Sequence, residues 1–236
     1  MKPEYFITPE GYHAYKYARA AITADAVIFG FDGSKLQVLL IRRKEDPFAE
    51  CWALPGGFMH MNETIEECAK RELQEETGLV SPYMKQLGVF SAVDRDPRNR
   101  VVTVAFYALV KMQSVRGGSD AKEARWCPID EMPSLAFDHK EILGAALKRL
   151  RQDLHFNPVG FELLPEKFSI PQLQRLYEAI LEMHFDRRNF QKKILSTGII
   201  TALEEKAPST RYRASTLYRF DEEQYTLMKL NFRLEF

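Results

Sequence analysis

Two apolar stretches rich in β-branched residues, "ITADAVIFGF" (22–31) and "LQVLLIRR" (36–43), are separated by the polar "DGSK", a spacing that predicts a β-hairpin. "CWALPGG" then reads as a strand running into a Pro-Gly-Gly turn, and a Glu-rich helix follows within residues 56–79. "LGVFSAV" and "RVVTVAFYALV" predict a second strand pair around the polar "DRDPRN", and "EARWCPI" a further strand. In "DHKEILGAALKRLRQD" the apolar positions Ile142, Leu143, Ala146, Leu147 and Leu150 recur at helical spacing. Strands and helices mixed in this order predict an α/β or α+β layered domain ending near residue 154. "HFNPVGFELLPEKF", punctuated by prolines, reads as a linker. Beyond it the period changes. "SIPQLQRLYEAIL" has Ser169 as N-cap and Leu173, Leu176, Tyr177, Ile180 and Leu181 on one face; "DRRNFQKKILSTG" runs from Asp186 to a stop at Gly198. "IITAL" and "STLYRF" predict two strands flanking "EEKAPSTRYRA", and two helices followed by a hairpin suggest a winged helix.

Composition adds bounds. The formal net charge of the 236 residues is zero, so any basic surface must be local. Three cysteines, Cys51, Cys68 and Cys127, lack metal-ligand spacing and suit a reducing compartment. The first twenty residues lack the apolar core of a secretion signal, and "VVTVAFYALV" is too short to span a bilayer. The expectation is a soluble, cytoplasmic protein with no membrane partner.

The candidate chemistry lies on the Glu-rich helix. At 100° per residue Glu66, Glu67, Lys70 and Gln74 share a solvated face, and Ile65, Cys68 and Ala69 face the core. Glu72, Glu75 and Glu76 fall on the core half, just before the helix stops at Gly78. Like charges three and four apart repel, and anions at a helix C-terminus oppose its dipole. A solvated acidic face with Arg71 reaching across to Glu75 is one account, though the angular position argues against it. The other is a divalent cation, with Mg²⁺ the hard ion best matched to carboxylates.

The same stretch resembles the Nudix box, G-x5-E-x7-R-E-U-x-E-E-x-G-U with U aliphatic. Gly57, Glu63, Arg71, Glu72, Leu73, Glu75, Glu76, Gly78 and Leu79 fall at every defined position. The resemblance implies a Nudix fold, an α/β/α sandwich with a mixed sheet, and Mg²⁺- or Mn²⁺-dependent hydrolysis of nucleoside diphosphates linked to another moiety. It implies Glu75 and Glu76 as metal ligands, Glu72 as a further ligand or the base, and a carbonyl contribution from Gly57. Arg71 would orient the glutamates and Glu63 would brace the box.

Arg42, Arg43 and Lys44 before the box, and Arg95, Arg98 and Arg100 after it, could grip phosphates or simply be solvated. Arg42, Arg43, Arg95 and Arg98 are taken as the candidate ligand contacts. Glu123 is the best-placed later carboxylate, whereas Trp52 and Trp126 read as core residues.

Between Asp186 and Arg219 eight basic residues oppose three acidic ones, a local footprint of the kind DNA binding needs. With Phe190 and Ile194 turned inward, Arg187, Arg188, Gln191 and Lys192 are the candidate DNA contacts, joined by Arg211 and Arg213 at a wing tip. Nudix domain followed by "LLPEKFSIPQLQRLYEAIL", "DRRNFQKKIL" and "LYRF" resembles the Nudix-related, NrtR-like transcriptional regulators, in which "DRDPR" and "LAFDH" also recur. That resemblance implies a dimer on a double-stranded operator, with ADP-ribose or a sugar such as arabinose as effector. Many such regulators have a decayed box; this box is complete, which leaves catalysis chemically possible. The readings carried forward are a regulator that binds and may hydrolyse its ligand, a plain hydrolase, and an idle sugar sensor. The expected boundaries are 1–155 for the Nudix domain and 156–236 for the winged helix.

Overall fold

Strand β3 (Ala21–Phe31) is the spine of the molecule. It is buried on both faces because its alternate side chains feed two different cores. The computed structural model describes residues 5–7, 13–15, 19–80, 84–118, 121–156, 160–206 and 215–228. The expected hairpin joins β3 to β4 (Leu36–Arg43); Asp32 Oδ1 accepts from the Ser34 and Lys35 amides, and Gly33 takes the left-handed φ of 96°. On its other side β3 runs parallel to β8 (Val101–Leu109), which pairs in turn with β7 (Lys85–Phe90). Short strands β5 (Trp52–Ala53) and β6 (Gly56–Phe58) pair with β4 and β3, and β9 (Ala121–Pro128) also pairs with β4. The result is a mixed seven-stranded sheet. A separate pair, β1 (Tyr5–Ile7) and β2 (His13–Tyr15), was not evident in the sequence pattern.

Helix α1 (Ile65–Thr77) covers one face, where Cys68, Ala69 and Leu73 meet Ala24, Ala26 and Ile28. Helix α2 (His139–Phe156) covers the other, where Ile142, Leu143, Ala146 and Leu150 meet Val27, Phe29, Val38 and Leu40. Each fully buried Val, Leu, Ile or Phe among these contributes roughly 1.5–3 kcal/mol.

The tail folds as expected. Helix α3 (Ile170–Leu181) begins at a capping box of Ser169 and Gln172, and α4 (Arg187–Ser196) begins at Asp186, whose carboxylate accepts from the Asn189 amide. Strands β11 (Ile200–Lys206) and β12 (Thr216–Phe220) form the hairpin, with a further helix, α5 (Glu222–Met228), after it. The stretch expected to be a linker is partly built into the fold. Its last residue, Phe168, forms β10 with Ser169, a third strand beside β12, and Leu163, Leu164 and Phe168 are buried. Prolines break its periodicity, but its apolar residues still find a core. That core is continuous: the cluster beneath α2 extends through Leu173, Leu176, Tyr177 and Ile180 to Phe190 and Ile194. The fold is therefore α+β, a Nudix α/β/α sandwich followed by a winged helix.

Candidate functional site

A cavity of about 340 Å³ opens at the end of the sheet beside α1. Glu72 and Glu76 reach it from α1, Gly56 to Phe58 from β6, and Thr23 and Asp25 from β3. Arg43, Arg95, Arg98, Phe137 and His139 complete most of its wall.

The box helix starts where Thr64 accepts from the Glu67 amide while Glu67 accepts from the Thr64 amide, and it ends at Gly78 with a left-handed φ of 71°. Its last turn holds no basic residue. The three glutamates do not all turn inward: Glu76 is 4% exposed, but the Glu75 side chain is 47% exposed. One helical step of 100° separates them, enough to carry Glu75 from the buried stripe to the rim. Arg71 gathers Glu63, Glu72 and Glu75, but not Glu76. Its guanidinium pairs with Glu63 at 2.7 Å, Glu72 at 2.7 Å and Glu75 at 3.2 Å, and donates to the Phe58 carbonyl. Arg71, helped by the His60 amide, holds the Glu63 carboxyl down to about 2. An internal guanidinium thus already offsets part of the charge of Glu63, Glu72 and Glu75, as in the account in which Arg71 reaches across to Glu75.

The donor set still fits a hard cation. Glu72 and Glu76 share the cavity, and a Cβ on Gly57 would lie 2.4 Å from Glu72 Oε1, so a glycine there lets the carboxylate rest against the backbone. Glu76 Oε2 accepts from the Gly56 amide at 2.9 Å. Among the described residues no three His, Cys, Asp or Glu side chains converge into a ready cage. Two carboxylates and a carbonyl suit an ion that completes its shell with water and ligand phosphate.

Behind the box lies a charged network that composition and spacing had not placed. Arg95 donates to both Asp138 oxygens at 2.9 and 2.8 Å and to Asp25 at 3.3 Å, so "DRDPR" and "LAFDH" meet through this pair. Burial acts to lower the Arg95 pKa, but the two carboxylates outweigh it and raise it. The Leu54 amide donates to His139 Nδ1 at 2.9 Å, leaving Nε2 toward Asp25 at 3.6 Å. Burial pushes the His139 pKa down despite Asp25 and Asp138, so the ring is neutral. Arg95 is thus a buried structural cation, not a free phosphate grip.

Arg43, which forms no ion pair with a carboxylate among the described residues, is better placed for an anion, and Arg98 lines the same cavity although Asp96 holds it at 3.0 and 2.7 Å. Both guanidiniums lie over the Phe137 ring, at 5.0 and 5.8 Å from its centroid, and Arg98 also lies 5.3 Å from Phe58. Arg43 donates to the Pro47 and Glu45 carbonyls, and burial, then the charge of Arg98, lower its pKa. Phe137 itself adopts a left-handed φ of 51°, rare for a bulky residue. Arg42 points the other way along β4, pairing with Glu50 at 3.1 Å outside the cavity wall. Glu123 lies opposite Arg42 on β9, exposed and likewise off the wall. Trp52 and Trp126 pack against the core, as expected.

On the winged helix, Phe190 and Ile194 are buried and Arg187, Arg188, Gln191 and Lys192 are exposed along α4. Arg211 and Arg213 lie outside the described residues.

Residues 20–150 match the NUDIX domain family, and residues 160–220 match the NrtR DNA-binding winged helix domain. The chain is similar to an ADPR responsive transcriptional repressor NtrR of Acinetobacter baylyi, 32% identical over 219 residues, covering 91% of this chain and 87% of that one. An ADP-ribose pyrophosphatase of Methanocaldococcus jannaschii is 42% identical over 127 residues, 54% of this chain and 73% of its own. The structure of Shewanella oneidensis NrtR complexed with a 27mer DNA superposes with a TM-score of 0.75 at 30% identity, over 90% of this chain and 97% of that one. The NUDIX domain of the same protein, complexed with ADP ribose, superposes with a TM-score of 0.54 at 36% identity, over 57% and 90%.

Proposed function

The chain belongs to the Nudix family, joined to an NrtR-type winged helix, and from that premise we propose that it is a cytoplasmic, ADP-ribose-responsive transcriptional regulator. The proposed units are residues 1–155, which bind the ligand, and residues 156–236, which bind double-stranded DNA. Two copies would present their α4 helices to paired operator half-sites. The observation that carries this reading is α2. It begins at His139 in the cavity wall, and farther along Arg151 donates to the Ile180 carbonyl at 2.9 Å and pairs with Glu182 at 2.6 Å on the winged helix. A ligand that prefers one setting of this helix shifts the population fit for DNA.

In the cavity Arg43 and Arg98 receive the diphosphate, while Glu76, Glu75 and the Gly57 carbonyl would hold Mg²⁺ or Mn²⁺. When bound there, such an ion would supply charge neutralisation of phosphate oxygens and a lowered pKa of water. Glu72 either completes that set or takes the proton of the water that attacks phosphorus. Breaking the bond to the bridging oxygen then yields AMP and ribose 5-phosphate. Arg71 keeps Glu63 and restrains the glutamates.

Mg²⁺-dependent release of AMP from ADP-ribose, lost in Glu76→Gln, supports hydrolysis; binding with no AMP formed favours the idle sensor. Retention of DNA from upstream of its own gene, weakened in Arg188→Ala plus Lys192→Ala, supports the regulator. No specific retention leaves a plain hydrolase.

A further inference from the structure

Thr23 Oγ1 is buried, and among the described residues it has no hydrogen-bond partner. The residue is 7% exposed and lines the cavity from β3. Strand alternation turns Ala24 toward α1 and leaves Thr23 on the same side as Asp25. Thr23 also stands directly opposite Phe58 in the antiparallel β3–β6 pair, so hydroxyl, carboxylate and aromatic ring border one recess. A buried hydroxyl without a partner is unfavourable, and valine would fill the same volume without that penalty. Its retention in a ligand cavity points to a polar ligand atom as the partner.

The surroundings narrow that atom's chemistry. Asp25 pairs with Arg95 at 3.3 Å and faces His139 Nε2 at 3.6 Å, and its two carboxylate oxygens keep further acceptor capacity, while Phe58 offers an apolar face. Hydroxyls that donate and accept, on a ring whose C–H face packs against an aromatic, describe a sugar rather than a purine. Resting on the ADP-ribose reading above, we propose that Thr23, with Asp25 and Phe58, receives the terminal ribose and so selects ADP-ribose over ADP. Thr23 is then a specificity residue that contacts the ligand part ADP lacks.

Isothermal titration of ADP-ribose and of ADP into the full chain, with wild type, Thr23→Val and Thr23→Ser, tests this. Thr23→Val is expected to weaken ADP-ribose binding about tenfold and leave ADP within about twofold, with unchanged or higher thermal stability. Thr23→Ser, which keeps the hydroxyl, restores most of the loss. Unchanged ADP-ribose affinity in Thr23→Val, or an equal loss for ADP, overturns the inference while the wider reading stands. A wild-type protein that binds neither nucleotide overturns both.

Discussion

At the scale of single residues, what could be read from the chain was what sat at fixed spacing. The box positions Gly57, Glu72 and Glu76 come together at the cavity because one helix and one turn carry them. Asp25, Thr23 and His139 were not legible: Thr23 and Asp25 sit in an apolar strand, His139 opens a helix far along the chain, and only tertiary packing joins them. Arg42 and Arg43 look alike in sequence, yet the period-two pleat sends only Arg43 to the site. Two outcomes follow. Gly57→Ala forces the Glu72 carboxylate off the backbone and is expected to cut Mg²⁺-dependent hydrolysis about tenfold or more, with ADP-ribose binding less affected. For His139 the folded pKa lies below the ordinary 6.5, so the unfolded chain takes up the proton first as pH falls. Its contribution to stability is full above pH 6.5 and declines below it. Denaturant melts from pH 7 to 5 should show that decline in wild type and a flatter profile in His139→Asn, which can still accept from the Leu54 amide.

At the scale of elements, helical periods and caps were the readable signals. Ser169, Asp186 and Gly78 bound their helices as their chemistry dictates, whereas the Thr64 cap was not singled out in the sequence. Thr64→Ala is expected to cost about 1 kcal/mol in chemical denaturation, through loss of the capping box. The segment before α3 was misread because proline breaks conceal a strand two residues long, whose place is fixed by β12 and not by its own pattern. The splitting of the acidic trio has a similar cause. A helical wheel gives angles, but not how far the neighbouring elements cover each one, and the Glu75 side chain is left 47% exposed. On α4 two charges removed together, in Arg188→Ala plus Lys192→Ala, are expected to lower the slope of log affinity against log salt by about 2. An unchanged slope would remove this face from the DNA contact.

At the scale of the molecule, two family signatures meet through one core. α2 is about 27 Å long, and the apolar cluster beneath it continues into α3 and α4. Among the described residues one apolar cluster runs to both sides of the division near residue 155. A single thermal transition is therefore expected, not two. Arg151→Met keeps the apolar stem and removes the grip on Ile180 and Glu182. It is expected to leave each ligand's own affinity within about twofold while reducing their mutual influence. The most direct test is the affinity of the full chain for its operator with and without saturating ADP-ribose. The account predicts a change of at least about fivefold, matched by an equal change in ADP-ribose affinity when DNA is bound. Identical operator affinity in both conditions, with both ligands shown to bind, would contradict it.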